Sequence, residues 1–217
     1  MTTVASRETA RRALRWLLVL SVLLVATGVA LWPRDSGRPG AGPPPADRTA
    51  PDLAALRERA ALAGCPAAQP GATGTGIGVL AGITVPCLGD GGAVHMGTAL
   101  AGREILLNMW AHTCAPCREE LPAMQAYAAR PGAVPVLGVQ VDGSPQAGLA
   151  MLTVLGVHLP SVADPDGAVR AALSAPPVLP LTYLVAADGS VRMIDPPVVF
   201  HSADEVDAVV RQHRAGA

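Results

Sequence analysis

The hydropathy pattern opens on an unbroken apolar run, Trp16–Trp32 (WLLVLSVLLVATGVALW), with a tryptophan at each end and no charge inside. Its length is at the lower limit for a helix that crosses a bilayer, and terminal tryptophans suit the membrane interfaces. Arg7, Arg11, Arg12 and Arg15 precede the run, while Arg34 and Asp35 follow it. The positive-inside bias then leaves the N-terminus in the cytoplasm and sends the remainder outside. A cleaved signal peptide is the competing reading, with Gly28-Val29-Ala30 as its small-residue cleavage site. The run continues past that site to Trp32, which favours an uncleaved signal-anchor. Residues 33–50 (PRDSGRPGAGPPPADRTA) mix Pro, Gly and charge without an apolar period, as a partly extended tether does. Three segments follow: a cytoplasmic tip and transmembrane anchor over 1–32, a linker over 33–50, and a folded domain over 51–217.

Inside that domain the pattern alternates between helical and extended types. Pro51–Ala63 predicts a short helix closed by Gly64, and Gly71–Gly78 a flexible loop. Ile83–Leu88, Gly89-Asp90-Gly91-Gly92 and Ala93–Met96 predict a β-hairpin. Glu104–Ala111 (EILLNMWA) is continuously apolar over a strand's length, so it reads as a central strand buried on both faces. A helix over Cys114–Arg130 should follow, then a second buried strand over Val134–Val141. Ser144-Pro145 is an N-cap with a first-turn proline, opening a helix that stops at Gly156. A short strand at Pro160–Ala163, a short helix at Gly167–Leu173 and a hairpin of Leu181–Ala186 with Val191–Ile194 come next. A final helix begins at the capping box Ser202–Glu205 and runs to Arg214. Helices alternating with strands, and hairpins at the edge, predict an α/β layered domain on a mixed sheet.

Composition removes whole function classes. Across 217 residues, 16 basic residues, all arginine, face 17 acidic ones, for a net charge of −1. Nucleic-acid binding, which rests on a basic excess, is excluded on that ground. With 50% apolar residues the chain can order a core. The 4 cysteines are too few for a disulfide-dense miniprotein, so their spacing carries the information.

Cys114 and Cys117 stand where the central strand turns into a helix. Unpaired N–H groups and the positive end of the helix dipole favour thiolate there, and one helical turn brings the two sulfurs within reach. The pair reads as a dithiol that cycles to a disulfide, with Cys114 the exposed nucleophile and Cys117 the resolving thiol. Pro116 gives up an N–H that the first turn leaves unused. A zinc half-site is the structural rival, but no second C-x-x-C or H-x-x-x-H completes it, and no metal is expected. Pro180 stands just before an apolar run, where a proline removes a ladder hydrogen bond. A cis Leu179–Pro180 bond would set that backbone against the dithiol and free an extended segment for a substrate peptide, whereas the alternative is an ordinary trans turn.

The combination N-x-W-A-x-x-C-x-P-C-R-x-E-x-P over 108–122, with Leu179-Pro180-Leu181-Thr182-Tyr183 further on, resembles the thioredoxin superfamily and within it the membrane-anchored TlpA/ResA branch. The likeness covers about residues 80–214. It implies a thioredoxin-like fold with an N-terminal hairpin extension and extracytoplasmic thiol-disulfide exchange, often reducing apocytochrome c or other cysteine pairs. By position it makes Cys114 the attacking thiol, Cys117 the resolving thiol and Pro180 the cis-proline, supported by Trp110, Pro116, Glu120, Leu179 and Asn108. No cofactor is implied. The implied partners are exported cysteine-containing proteins and a membrane electron donor. The chain departs from the pattern at Thr113, where a second tryptophan is usual, at His112, and at Leu181, where threonine is common. His112 either shares charge with the thiolate or is a solvated loop residue. Arg118, Glu119 and Glu120 read as a solvated helix face, although Glu120 matches a glutamate of the branch with a structural or proton-handling role.

Cys65 and Cys87 lack a helix start and read as a structural disulfide in an exported chain, the rival being a second redox pair. His95, His158, His201 and His213 have no ligand spacing, and Asp164-Pro165-Asp166-Gly167 reads as a turn rather than a calcium loop. Besides the oxidoreductase, the sequence leaves a Cu(I)-handling protein using Cys114, Cys117 and His201. A peroxidase is disfavoured by the absence of a Pro-x-x-x-Thr-x-x-Cys loop.

Overall fold

The computed structural model describes residues 52–68 and 77–215. The run Trp16–Trp32, the linker 33–50 and most of the Gly71–Gly78 loop lie outside the described residues. Among the described residues no helix is long and apolar enough to cross a membrane. In chain order the elements are α1 (Leu53–Ala60), a 3-10 turn (Gly78–Leu80), β1 (Thr84–Pro86), β2 (Ala93–His95), α2 (Met96–Ala99), β3 (Ile105–Ala111) and α3 (Ala115–Ala128). Then come β4 (Val136–Asp142), α4 (Pro145–Leu155), β5 (Ser161–Ala163), α5 (Ala168–Ala172), β6 (Leu181–Val185), β7 (Val191–Met193) and α6 (Ala203–Ala215).

Every residue of β3 is buried, as its unbroken apolar run requires. It is central in a five-stranded sheet of order β5-β4-β3-β6-β7. β3, β4 and β5 run parallel, whereas β6 is antiparallel to β3 and β7 to β6. Alternation along the strands divides the core in two. Leu106, Trp110 and Leu184 pack with α1, α3, α4 and α6 on one face. Leu107, Met109, Leu181 and Tyr183 pack with the β1–β2 hairpin, α2 and Val169 of α5 on the other. This is the thioredoxin-like arrangement of a mixed sheet between helices.

Local chemistry sets the element ends. Ser144 Oγ accepts the Ala147 N–H at the start of α4, and Gly156 closes that helix with φ 63°. Ser202 Oγ accepts the Glu205 N–H while the Glu205 carboxylate accepts that of His201. Asp164 is buried because its two carboxylate oxygens accept the Val169 and Arg170 N–H groups, so the acidic stretch caps α5.

Two expectations need correction, and two short elements come in addition. The first helix stops at Ala61 (φ 44°), whose N–H bonds to Arg57, before Gly64 is reached. Strand β1 is shorter than Ile83–Leu88, because the Cys87 N–H closes on the Gly92 carbonyl and Cys87 bridges to Val162. The 3-10 turn and α2 were absent from the pattern, being too short to show a helical period.

Cys65 and Cys87 form a disulfide. Cys65 follows α1 on one face, Cys87 leaves the hairpin on the other, and the link passes around the β5 edge, where the Leu88 N–H reaches the Ser161 carbonyl. The sheet edge is thereby covered. Restricting the unfolded chain in this way contributes about 3 kcal/mol.

Gly138 of β4 lies beneath the Trp110 indole. A Cβ there would stand 2.8 Å from Trp110 Nε1 and 2.5 Å from Ser161 Oγ. Both neighbours are fully buried, so Gly138→Ala is expected to lower stability by about 1–3 kcal/mol in urea denaturation. An unchanged midpoint would mean that the indole has room to retreat.

Candidate functional site

Parallel β3 and β4 end on the same side of the sheet, and the loops beyond them meet there, as ligand-binding loops do in open α/β sheets. β3 runs into the loop His112-Thr113 and then into α3, whose N-cap is Cys114. The Cys114 sulfur accepts the Cys117 N–H at 3.2 Å, and the two cysteines are joined as a disulfide with Cα atoms 5.3 Å apart. Cys117 is fully buried, while Cys114 is half-buried between exposed Thr113 and exposed Ala115 and Pro116. An approaching thiol therefore meets Cys114 first. On reduction, the charge on Cys114 would sit at the positive end of α3, facing the Cys117 N–H.

Pro180 occupies the same end of the sheet. Leu181 is paired with Met109, so the buried Pro180 comes one step further along, beside the end of β3 that leads to Cys114. The Leu179–Pro180 bond is cis, as is Asp195–Pro196, which nothing in the sequence reading singled out. Leu179 is half-buried and packs against both cores. Trp110 is wholly inside the core, its Nε1 without a hydrogen-bond partner, and takes no part in the exposed rim.

Arg118 and Glu119 are exposed as expected, but Glu120 is fully buried, which corrects its reading as part of a solvated face. It lies three residues after Cys117, so it shares the inward side of α3. Asn108 Nδ2 donates to Glu120 Oε2 at 2.9 Å and to Thr182 Oγ1 at 3.2 Å, and the Phe200 N–H approaches Glu120 Oε1 at 3.4 Å. Burial pushes the carboxyl up to about 7, and the hydrogen bonds from Asn108 and Phe200 offset only part of that cost. A carboxyl that titrates near neutrality, one turn below a dithiol, is suited to exchange a proton with it.

His112 is half-buried, with its ring against Gly143 in the β4–α4 loop and Nδ1 without a partner. Gly143 has φ 86°, and a Cβ there would run into the ring. Phe200 and Gly143 escaped the sequence reading, and Thr182 entered it only within the stretch Leu179–Tyr183, with no role of its own. Only Thr182, two positions after Pro180, carried a signal in its spacing. Among the described residues no group of three or more His, Cys, Asp or Glu is placed to hold a metal ion. His201 is exposed at the start of α6, with its N–H on Glu205. The two disulfides pack in cores on opposite faces of the sheet, which separates Cys65–Cys87 from the dithiol.

The AhpC/TSA family model matches residues 81–194. Among curated proteins, the thiol-disulfide oxidoreductase ResA of Bacillus subtilis is 34% identical over 94 residues, 42% of this chain and 52% of that protein. ResA of Oceanobacillus iheyensis is 29% identical over 97 residues, 44% of this chain and 50% of that protein. The match thus spans about half the length of these relatives. Among solved structures, a secreted Mycobacterium tuberculosis disulfide oxidoreductase homologous to E. coli DsbE has a TM-score of 0.53 at 25% identity, covering 60% of this chain and 95% of that one.

Proposed function

We propose, on the premise that the chain belongs to the AhpC/TSA family, that it is a ResA-like thiol-disulfide oxidoreductase of the thioredoxin superfamily acting through Cys114 and Cys117. One observation carries the reading: a half-buried sulfur at a helix start accepts the N–H of a second, fully buried cysteine one turn on. In the reductive direction the Cys114 thiolate attacks a sulfur of the substrate disulfide, forming a mixed disulfide and releasing one substrate thiolate. Cys117 gives up its proton and attacks Cys114 Sγ. The bond to substrate breaks, the second substrate thiolate leaves, and the chain is left with the Cys114–Cys117 disulfide. Two electrons have passed to the substrate. Glu120, which titrates near neutrality, takes the Cys117 proton in its ionised form. Pro180, at the same end of the sheet, presents the Leu179–Pro180 backbone to the substrate chain.

The direction rests on Ala115 and Pro116, which lend neither charge nor a side-chain hydrogen bond to the thiolate. Moderate thiolate stabilisation places the couple with reductants. The substrates are disulfides of exported proteins, apocytochrome c among them. The apolar run Trp16–Trp32 anchors the chain with its catalytic domain outside the cytoplasm, and a membrane protein supplies electrons from within.

Iodoacetamide labelling of the reduced protein across pH tests the site. Cys114 should label with an apparent pKa well below the ordinary thiol value of about 8.5, and Cys117 should resist. A Cys114 midpoint at the ordinary value would remove the assignment.

A further inference from the structure

We infer that a hollow beside β7 binds a small apolar carboxylate, with the Tyr183 hydroxyl as hydrogen-bond donor and the Arg170 guanidinium as countercharge. Tyr183 stands in mid-β6 between its register partners Leu107 of β3 and Met193 of β7, and its side chain belongs to the core on the hairpin face. Cys114 and Cys117 pack on the other face. The site is therefore separate from the dithiol, and the inference does not rest on what the dithiol does.

The hollow has a volume of about 580 Å³, inside the range of roughly 300–1,000 Å³ that small-molecule sites occupy. Its walls are Val79 of the 3-10 turn, Leu173 and Pro176 beyond α5, and Val191 and Met193 of β7, with Tyr183 among them. No lining residue is charged, so the walls suit an apolar body. Tyr183 is only 4% exposed, and its hydroxyl is buried without a hydrogen-bond partner. An unpaired buried hydroxyl weakens a fold, and the ring would pack as well without it. The phenol thus holds a hydrogen bond that the folded chain leaves unmade. Burial raises its pKa above the ordinary tyrosine value and Arg170 offsets only part of that, so the group keeps its proton at neutral pH.

A phenol both donates and accepts, so the hydroxyl alone does not choose the ligand. Arg170 makes the choice. Its half-buried guanidinium donates to the carbonyl of Pro176, a wall residue, at 3.2 Å, and its charge acts on the Tyr183 phenol. Among the described residues Arg170 forms no ion pair, and Asp164, the acid that caps α5, has both oxygens on backbone N–H groups. A positive charge at that corner favours an anionic acceptor over a donor, and a donor carrying its own positive charge is repelled. The carboxylate takes the phenol's hydrogen bond while the apolar remainder lies against Val79, Leu173 and Met193.

The test is methyl NMR of the full-length oxidised protein, with Val79, Leu173 and Met193 as reporters and three phenyl probes: phenylacetate, phenethylamine and ethylbenzene. Phenylacetate should shift all three reporters and saturate. Ethylbenzene should bind the same hollow roughly tenfold more weakly, and phenethylamine more weakly still. Tyr183→Phe, which removes only the hydroxyl, should weaken phenylacetate by roughly tenfold, the size of one hydrogen bond to a charged group, and leave ethylbenzene as it was. Arg170→Gln, which can still donate to the Pro176 carbonyl, should erase the preference for phenylacetate over phenethylamine. Unchanged ethylbenzene binding in each variant shows that the hollow has kept its shape. Reporters unmoved by millimolar phenylacetate would overturn the inference. So would equal phenylacetate affinity in the parent and Tyr183→Phe, or phenethylamine binding as tightly as phenylacetate to the parent.

Discussion

Reduction of a protein disulfide is expected to fall at least about a thousandfold when Cys114 is replaced by alanine, because the attacking group is lost and nothing else can take its place. Cys117 is fully buried beneath it and cannot meet an incoming disulfide. Cys117→Ala should fail differently. The first attack survives, since Cys114 keeps its place at the start of α3, but the resolving thiol is gone and mixed disulfides to Cys114 persist. Non-reducing electrophoresis and mass spectrometry of trapped adducts separate the two variants. Adducts that accumulate on the Cys114→Ala protein instead would reverse the roles of the cysteines.

Glu120→Gln is expected to flatten the dependence of stability on pH. The folded-state value of about 7 lies above the ordinary 4.5, so between these values the native state holds a proton that the unfolded chain has released. Stability must then fall as pH rises from 4.5 through 7. Ionised Glu120 costs the native state on the order of 3 kcal/mol above that range, and nothing below the unfolded value. Glutamine stays neutral and can still accept the Asn108 N–H. Urea denaturation of both proteins should show little difference at pH 4.5 and a difference approaching about 3 kcal/mol in favour of the variant at pH 8. Parallel curves would show that Glu120 does not titrate between those limits.

The site is legible in the sequence where its chemistry is local. Cys114 and Cys117 announce themselves because the strand, the helix start and the two-residue spacing are consecutive in the chain. The helix cap at Ser144 and the stop at Gly156 are legible for the same reason, each being a short-range hydrogen-bond rule met by adjacent residues. The Glu120 network is different. Its four parts come from β3, α3, β6 and the segment before α6, and a glutamate beside Arg118 and Glu119 looks solvated until the turn of the helix places it inward. Asn108 in an apolar strand was the visible trace of this network, since a fully buried amide must find a partner. Thr182 could have been picked by its place two residues after Pro180, but its link to Asn108 depends on the β3–β6 register, which no local pattern carries. The pairing of Cys65 with Cys87 was legible, because neither cysteine stands at a helix start, but how it carries the chain around the β5 edge was not. The early end of α1 was hidden because alanine seldom takes the left-handed conformation that Ala61 adopts.

The central claim is that Cys114 and Cys117 form a reversible, reducing couple. Equilibration of the protein in dithiothreitol or glutathione buffers, with each cysteine followed by mass spectrometry, measures it directly. The account predicts one two-electron transition confined to Cys114–Cys117, nearer the thioredoxin value of about −270 mV than the oxidising range, with Cys65–Cys87 still joined at that poise. A potential above about −180 mV, or a transition that appears at Cys65–Cys87 instead, would contradict it.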